Sequence, residues 1–293
     1  MSYKTITYEV DGPIAFLSLN RPERYNTIVS PMHFEMENAL GRACADRDVK
    51  VIVLQGNGDS FCAGFDFADD LDHFDDWGID VGDQWDPGRD MMAVTDPFNG
   101  PVPKFMGIWR CPKPVITKIH GWCVGGGSEM GLLGDIVIAA DDAQIGTPYS
   151  RVWGAHLTGM WIYRLGLAKA KQYALTGEPV SGKEAARIEL INESCPLDEL
   201  DDRVRYWAEK LANIPSTQLA TMKLMVNQAY DNMGLQSTQT LGVILDGSMR
   251  NTPEGKEFVD VAMKKGVKEA VTRRDGPFGD YSQAPADRRP GKG

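Results

Sequence analysis

Residues Gly121–Asp135 read GWCVGGGSEMGLLGD. A glycine inside a helix or strand costs about 0.5–1 kcal/mol relative to alanine, so three in succession mark a junction between elements. The flanking runs, PVITKIHG (Pro114–Gly121) and DIVIAA (Asp135–Ala140), are short, apolar and rich in β-branched residues, the pattern of strands buried on both faces. The glycines therefore fall between a strand and the helix that begins near Ser128.

The same alternation runs through the first two-thirds of the chain. YKTITYEV and IAFLSLN, separated by DGP, form a predicted β-hairpin. SPMHFEMENALGRACADRD opens with Ser30 as N-cap and Pro31 at the first helical position, and Met32, Met36, Ala39, Leu40 and Ala43 recur at helical spacing. VKVIVLQG follows as a buried strand. A helix between two such strands predicts parallel pairing and an α/β fold. Residues 66–107 are rich in Asp, with Trp77 and Trp85, and end in the Pro/Gly stretch DPFNGPVPKF. They read as an acidic and aromatic surface insertion, or as a lid over a pocket. The core thus spans residues 1–200, a helical region with apolar stripes spans 201–280, and 281–293 is a polar, disordered tail.

Function classes narrow with composition. The 293 residues carry a net charge of −10, which argues against nucleic-acid or membrane-surface partners. Five cysteines include no C-x-x-C pair, which fits a reduced, cytoplasmic protein. The four histidines are scattered, and no spacing suggests a metal site. No signal peptide and no transmembrane run of ~18 apolar residues is expected.

Glycines ahead of a helix allow a ligand close to unpaired backbone N–H groups, which can hold an oxyanion. Glu129, one turn in, would face the same pocket and move protons there. The rival motifs fit less well. A P-loop needs G-K-[ST] after the glycines, and GGGSEM lacks it. GWCVG matches a nucleophile elbow with Cys123 as nucleophile, but His156 is the only later histidine. A second glycine turn, SFCAGFDF (Ser60–Phe67), follows the strand VKVIVLQG. It could offer another N–H to the same oxygen.

LNRPERYN (Leu19–Asn26), FCAGFD (Phe61–Asp66), CPKPVITKIHGWCVGGGSE (Cys111–Glu129), QIGTP (Gln144–Pro148) and YALTGEPVSGKEA (Tyr173–Ala185) occur in this order. Together they resemble the enoyl-CoA hydratase/isomerase, or crotonase, superfamily. The resemblance implies a spiral of ββα units, a C-terminal region that builds trimers or hexamers, and an acyl-CoA thioester substrate. Coenzyme A would enter as part of that substrate, with no separate cofactor and no metal. By motif position, the N–H groups of Phe65 and Gly126 would hold the thioester oxygen and Glu129 would be the acid or base. Ala63, Gly64, Phe65, Asp66 and Gly125 would line the CoA path, with Arg24 and Arg273 or Arg274 near its phosphates.

One departure limits the carry-over. Hydratases of the family place a second glutamate in G-x-P-E, where this chain reads GTPYS, with Tyr149 at that position. A phenol has an ordinary pKa near 10, which suits a donor or a hydrogen-bond partner rather than a base. Hydration with Tyr149 or His156 assisting is the first reading. Isomerase, decarboxylase, lyase or hydrolase chemistry needing one base is the alternative, and a non-catalytic acyl-CoA-binding member is another. Asp66 or Asp69 is a candidate second carboxylate, and Arg151 a candidate for a substrate carboxylate.

Overall fold

The computed structural model describes residues 2–67, 86–281 and 285. A six-stranded sheet has the order β1-β2-β3-β4-β6-β9. Its strands are β1 (Ile6–Asp11), β2 (Ile14–Leu19), β3 (Val51–Gly56), β4 (Val115–Ile119), β6 (Ile136–Ala140) and β9 (Glu193–Cys195). β1 and β2 form the expected antiparallel hairpin, with Ile6 opposite Leu19 and Asp11 opposite Ile14. All later pairs in this sheet are parallel. β3 and β4 are buried almost throughout, so they show no alternation in sequence.

A smaller sheet stands beside it, with β5 (Trp122–Val124) and β7 (Gln144–Gly146) parallel and β8 (Val180–Ser181) antiparallel at the edge. β4 leads to β5, and β6 to β7, through tight turns. Each small strand is followed by a helical segment, Gly126–Gly131 and the 3₁₀ turn Pro148–Arg151. This is the ββα repeat. The change of sheet after β4 depends on Gly121, whose φ is +58° and whose added Cβ would lie 2.0 Å from the Asp59 carbonyl.

The helix Ser30–Ala45 buries Met32, Met36, Ala39, Leu40 and Ala43, the stripe its spacing predicts. Val29 rather than Ser30 is its N-cap, and no side chain caps it. Pro31 explains the shift: its ring sits one position deeper in the first turn, where the missing N–H has no intrahelical acceptor to lose. The larger correction concerns residues 96–107. The Pro/Gly stretch contains the helix Pro101–Arg110, which buries Val102, Phe105, Met106, Ile108 and Trp109. Pro101 and Pro103 fall in its first turn, where proline is tolerated, so the prolines start a helix rather than make a loop. Trp77, Trp85 and Asp69 lie outside the described residues, as do residues 282–284 and 286–293 of the tail.

The helix Leu200–Ala212 lays Leu200, Val204 and Ala208 against the large sheet. Beyond it come the helices Ser216–Asn232, Leu235–Arg250, Pro253–Lys265 and Val267–Asp275. No described helix is long and apolar enough to cross a membrane.

Candidate active site

Two turns at strand ends meet at the base of a cavity. The first is Ala63–Asp66. Ile28 donates its N–H to the Gly64 carbonyl at 2.8 Å, and Asp66 donates to the Ile28 carbonyl at 3.0 Å. That parallel bridge leaves the N–H of Phe65, between them, directed away from Ile28. Gly64 has φ +97°, and its added Cβ would lie 3.0 Å from the Val124 carbonyl and 3.7 Å from the Gly126 nitrogen. The Asp66 carboxylate is tied down by Arg21 at 2.9 Å and Thr27 at 2.8 Å, so it braces this turn.

The second turn is Gly125–Gly127, and each of its glycines has its own reason. Gly125 has φ +55°, and its N–H bonds the Gly146 carbonyl at 2.8 Å. A Cβ on Gly126 would lie 2.7 Å from the Phe65 ring, and one on Gly127 would lie 2.3 Å from the Cys62 carbonyl. Backbone hydrogen bonds of a parallel β-bridge at Cys62 and Cys123, Cys62 N–H to the Trp122 carbonyl at 2.9 Å and Val124 N–H to the Cys62 carbonyl at 3.0 Å, hold the two turns together. The helix Gly126–Gly131 starts here, and its first N–H groups have no acceptor within the helix.

Glu129, one turn along, is fully buried. Its Oε2 accepts from the Thr158 N–H at 2.9 Å and the Thr158 hydroxyl at 2.5 Å. His156 Nδ1 lies 3.3 Å from its Oε1. The His156 ring stacks on Trp161, whose indole N–H bonds Ser128 at 3.0 Å. Glu129 is thus fixed from two sides by the segment 156–158.

Tyr149 stands across from the glycines, with an added Cβ on Gly125 falling 4.0 Å from its hydroxyl. That hydroxyl is buried and has no hydrogen-bond partner among the described residues, an arrangement that costs about 1–3 kcal/mol. Burial, then the nearby charges of Glu129 and Asp246, push the phenol well above its ordinary range. Tyr149 stays protonated at neutral pH, so it is a donor seeking an acceptor.

The cavity has a volume of about 660 Å³ and reaches from these turns to the C-terminal helices. The two turns contribute Gly64, Phe65, Gly125 and Gly126 to its lining, and Tyr149, Trp153, Val243, Asp246, Arg250 and Phe258 contribute side chains. Phe67, Trp153 and Phe258 pack edge to face with centroids 5.4–6.0 Å apart. Glu129 and His156 lie behind this lining.

The sequence profile of a family described as Enoyl-CoA hydratase/isomerase matches residues 9–280. The chain belongs to this family. It is 31% identical to a "Probable enoyl-CoA hydratase" of Rhodobacter capsulatus over 268 residues, covering 90% of this chain and 97% of that one. It is also 31% identical to the (E)-benzylidenesuccinyl-CoA hydratase of Thauera aromatica, over 86% of this chain and 93% of that one. A crystal structure of enoyl-CoA hydratase from Mycobacterium smegmatis superposes with a TM-score of 0.86 at 39% identity, covering 95% of each chain. The fold is the crotonase fold.

Within this hydratase/isomerase family member, the structure gathers most of the sequence-derived residues at one cavity. Arg24, Ala63, Gly64, Phe65, Asp66, Gly125, Gly126, Tyr149 and Arg274 all line it. Arg273 does not: its guanidinium pairs with Glu269 at 2.9 Å on an exposed helix face. Arg151 is also drawn away. It is buried between Asp275 and Asp280 and bonds the Thr176 carbonyl, which leaves it no free edge for a substrate carboxylate. His120 bonds the Gly58 carbonyl at 2.8 Å, in keeping with a structural role. Sequence reading missed Thr158, Lys268 and Asp246. For Asp246 a signal existed: it is a lone acid within LGVILDGSM (Leu241–Met249).

Proposed function

We propose that this protein hydrates the C2–C3 double bond of an enoyl-CoA thioester, using no metal and no separate cofactor. The observation that carries the reading is the contact of two glycine turns beside a buried, doubly anchored glutamate. The Phe65 and Gly126 N–H groups hold the thioester oxygen as it gains charge. Donors of this kind are worth about 3–4 kcal/mol each. Glu129 draws a proton from water as the water oxygen attacks C3. Tyr149 donates a hydrogen bond to that water or to the substrate. Arg24, Lys268 and Arg274 at the cavity wall supply positive charge for the CoA phosphates, and the aromatic group around Trp153 supports a bulky acyl chain.

The working unit is a homotrimer or a pair of trimers. Met222, Leu224, Met225, Val226 and Met233 are each at least half exposed on one helical stretch, more apolar surface than an isolated subunit normally shows. The five free thiols support a reducing compartment such as the cytoplasm. A second reading, isomerisation or another reaction needing one base, draws on Tyr149 standing where a second carboxylate would be.

The test is a mass-spectrometric screen of purified protein against crotonyl, longer enoyl, aromatic, cyclic and dicarboxylic CoA esters. Hydration appears as a gain of one water, and Glu129→Gln is expected to slow it about 10³-fold. Unchanged turnover in that variant removes Glu129 from the mechanism. Double-bond migration without water gain favours the second reading. Binding of CoA esters without turnover makes the protein a non-catalytic member.

A further inference from the structure

Helix Leu235–Arg250 presents Gln239, Gly242, Val243, Asp246, Gly247 and Arg250 at helical spacing, so they share one face. This face is fastened to the segment that holds Glu129. Gln239 donates to the Thr158 carbonyl at 3.0 Å. Gly242 crosses so closely that a Cβ there would lie 2.3 Å from the His156 carbonyl. The Ala155 N–H faces the Asp246 carboxylate, while the Thr158 N–H bonds Glu129. The two carboxylates are thus held by backbone groups three residues apart, a span of about 10 Å at most. Asp246 lines the cavity beside Tyr149, and its side chain is 13% exposed.

The charges around Asp246 do not balance. Arg250 binds Asp90 with Nη2 and Asp246 with Nη1, the latter at 3.2 Å. One guanidinium therefore serves two carboxylates, and Glu129 adds a third acid nearby. Gly247 lets Asp90 approach to within 1.9 Å of where a Cβ would sit, so Asp90 competes with Asp246 for the same guanidinium. Facing Asp246 are Arg250 on its own helix, Asp90 on the helix Pro87–Thr95, Glu129 and Tyr149. Burial first, then Asp90 and Glu129, raise the Asp246 carboxyl above its ordinary range, against the opposing pull of Arg250.

We propose that Asp246 is the second carboxylate of the active site, a catalytic acid that delivers the proton to C2 opposite Glu129. The inference rests on the hydratase reading. In the step, the water oxygen bonds C3 and one water proton passes to Glu129. The C2–C3 electron pair moves into the thioester enolate. The enolate then takes the Asp246 proton at C2 and the thioester carbonyl re-forms. Solvent carries the proton from Glu129 back to Asp246, so the net change is addition of one water. By motif position Tyr149 stands where the family resemblance implies a second glutamate, and Asp246 fills that chemical role from a different element.

The experiment is the pH profile of kcat on the thioester the wild type turns over, for the wild type, Asp246→Asn, Asp246→Glu and Asp90→Asn, with a thermal melt of each. Wild-type kcat should fall on an alkaline limb as the acid deprotonates. Asp246→Asn should lose about 10²-fold or more in kcat, with the limb gone and KM little changed. Asp246→Glu should restore the limb. Asp90→Asn should keep the limb but move it to lower pH, since a charge that raises the Asp246 carboxyl is gone and Arg250 is left to Asp246, whatever its melt shows. If Asp246→Asn does not fold, absence of an alkaline limb in the wild type still overturns the proposal. It is also overturned if Asp246→Asn turns over at the wild-type rate, or if Asp246→Asn and Asp90→Asn lose activity and stability together with the limb intact, since Asp246 then only anchors Arg250. Loss of hydration in Glu129→Gln with full activity in Asp246→Asn would end this proposal alone. Turnover of no thioester by the wild type would end both readings.

Discussion

The two walls of the cavity are made of different material. One is backbone: the turns Ala63–Asp66 and Gly125–Gly127, locked by the backbone β-bridge at Cys62 and Cys123 and by the close approach of Gly126 and Gly127 to Phe65 and Cys62. The other is side chain: Trp153, Phe258, Val243, Asp246 and Arg250, delivered by separate elements between Trp153 and Phe258. On the proposed function, the N–H groups of the first wall suit any thioester carbonyl. The second offers shape and charge, which suit a particular acyl chain. A backbone wall tolerates almost no substitution, whereas a side-chain wall can change residue by residue while the fold stands.

The largest effect should come from forcing a side chain into the backbone wall. Gly127→Ala places a methyl 2.3 Å from the Cys62 carbonyl, and neither backbone can yield without parting the two turns. Denaturant titration should show a loss of about 3 kcal/mol or more. A small loss would mean that this wall is softer than the contact implies. Next in size is Thr158→Val, which removes the hydroxyl on Glu129 Oε2 and keeps the shape. Hydration should fall about tenfold, the worth of one hydrogen bond to a charged group, without a matching fall in stability.

Trp153→Ala probes the side-chain wall. It breaks the edge contacts to Phe67 and Phe258. KM for bulky acyl-CoA esters should rise about tenfold, with kcat for crotonyl-CoA nearly unchanged. An equal loss on every ester would show that the two walls do not divide the labour as described. The smallest effect is chemical. Burial pushes the Cys62 thiol up to about 12 and Cys123 well above its ordinary range. Cys44 is lowered to about 7 by the Cys111 thiol at 3.0 Å and by Lys113 and Lys223. Iodoacetamide at pH 8 should label Cys44 first and spare Cys62 and Cys123, as mass spectrometry of peptides would show. Early labelling of Cys62 or Cys123 would reveal that the backbone wall opens.

The same contrast explains what could be read in advance. Glycines forced by close approach and strands buried on both faces leave local signatures, so the hairpin, the parallel strands and the strand-to-helix junction at Gly125 were legible. The helix Pro101–Arg110 was not, because two prolines in a first turn look the same as two prolines in a loop until Phe105 and Trp109 are seen buried. Glu129 was legible as a carboxylate one turn beyond the glycines, but its anchor on Thr158 was not, since a threonine 29 positions on carries no local mark. Arg273 and Arg274 are neighbours in sequence, and only the direction of each on its helix decides that Arg274 lines the cavity and Arg273 meets Glu269. Asp246 needed the tertiary crossing of its helix over residues 155–158.

Arg151 ties the segment that carries Tyr149 to Asp275 and Asp280, and Tyr281 reaches over to the Gly177 carbonyl at 2.9 Å. The far end of the polypeptide is thus stitched to the pocket. Removing Asp280 and Tyr281 would release Arg151 from Asp280 and Gly177 from Tyr281, and so loosen the loop behind Tyr149.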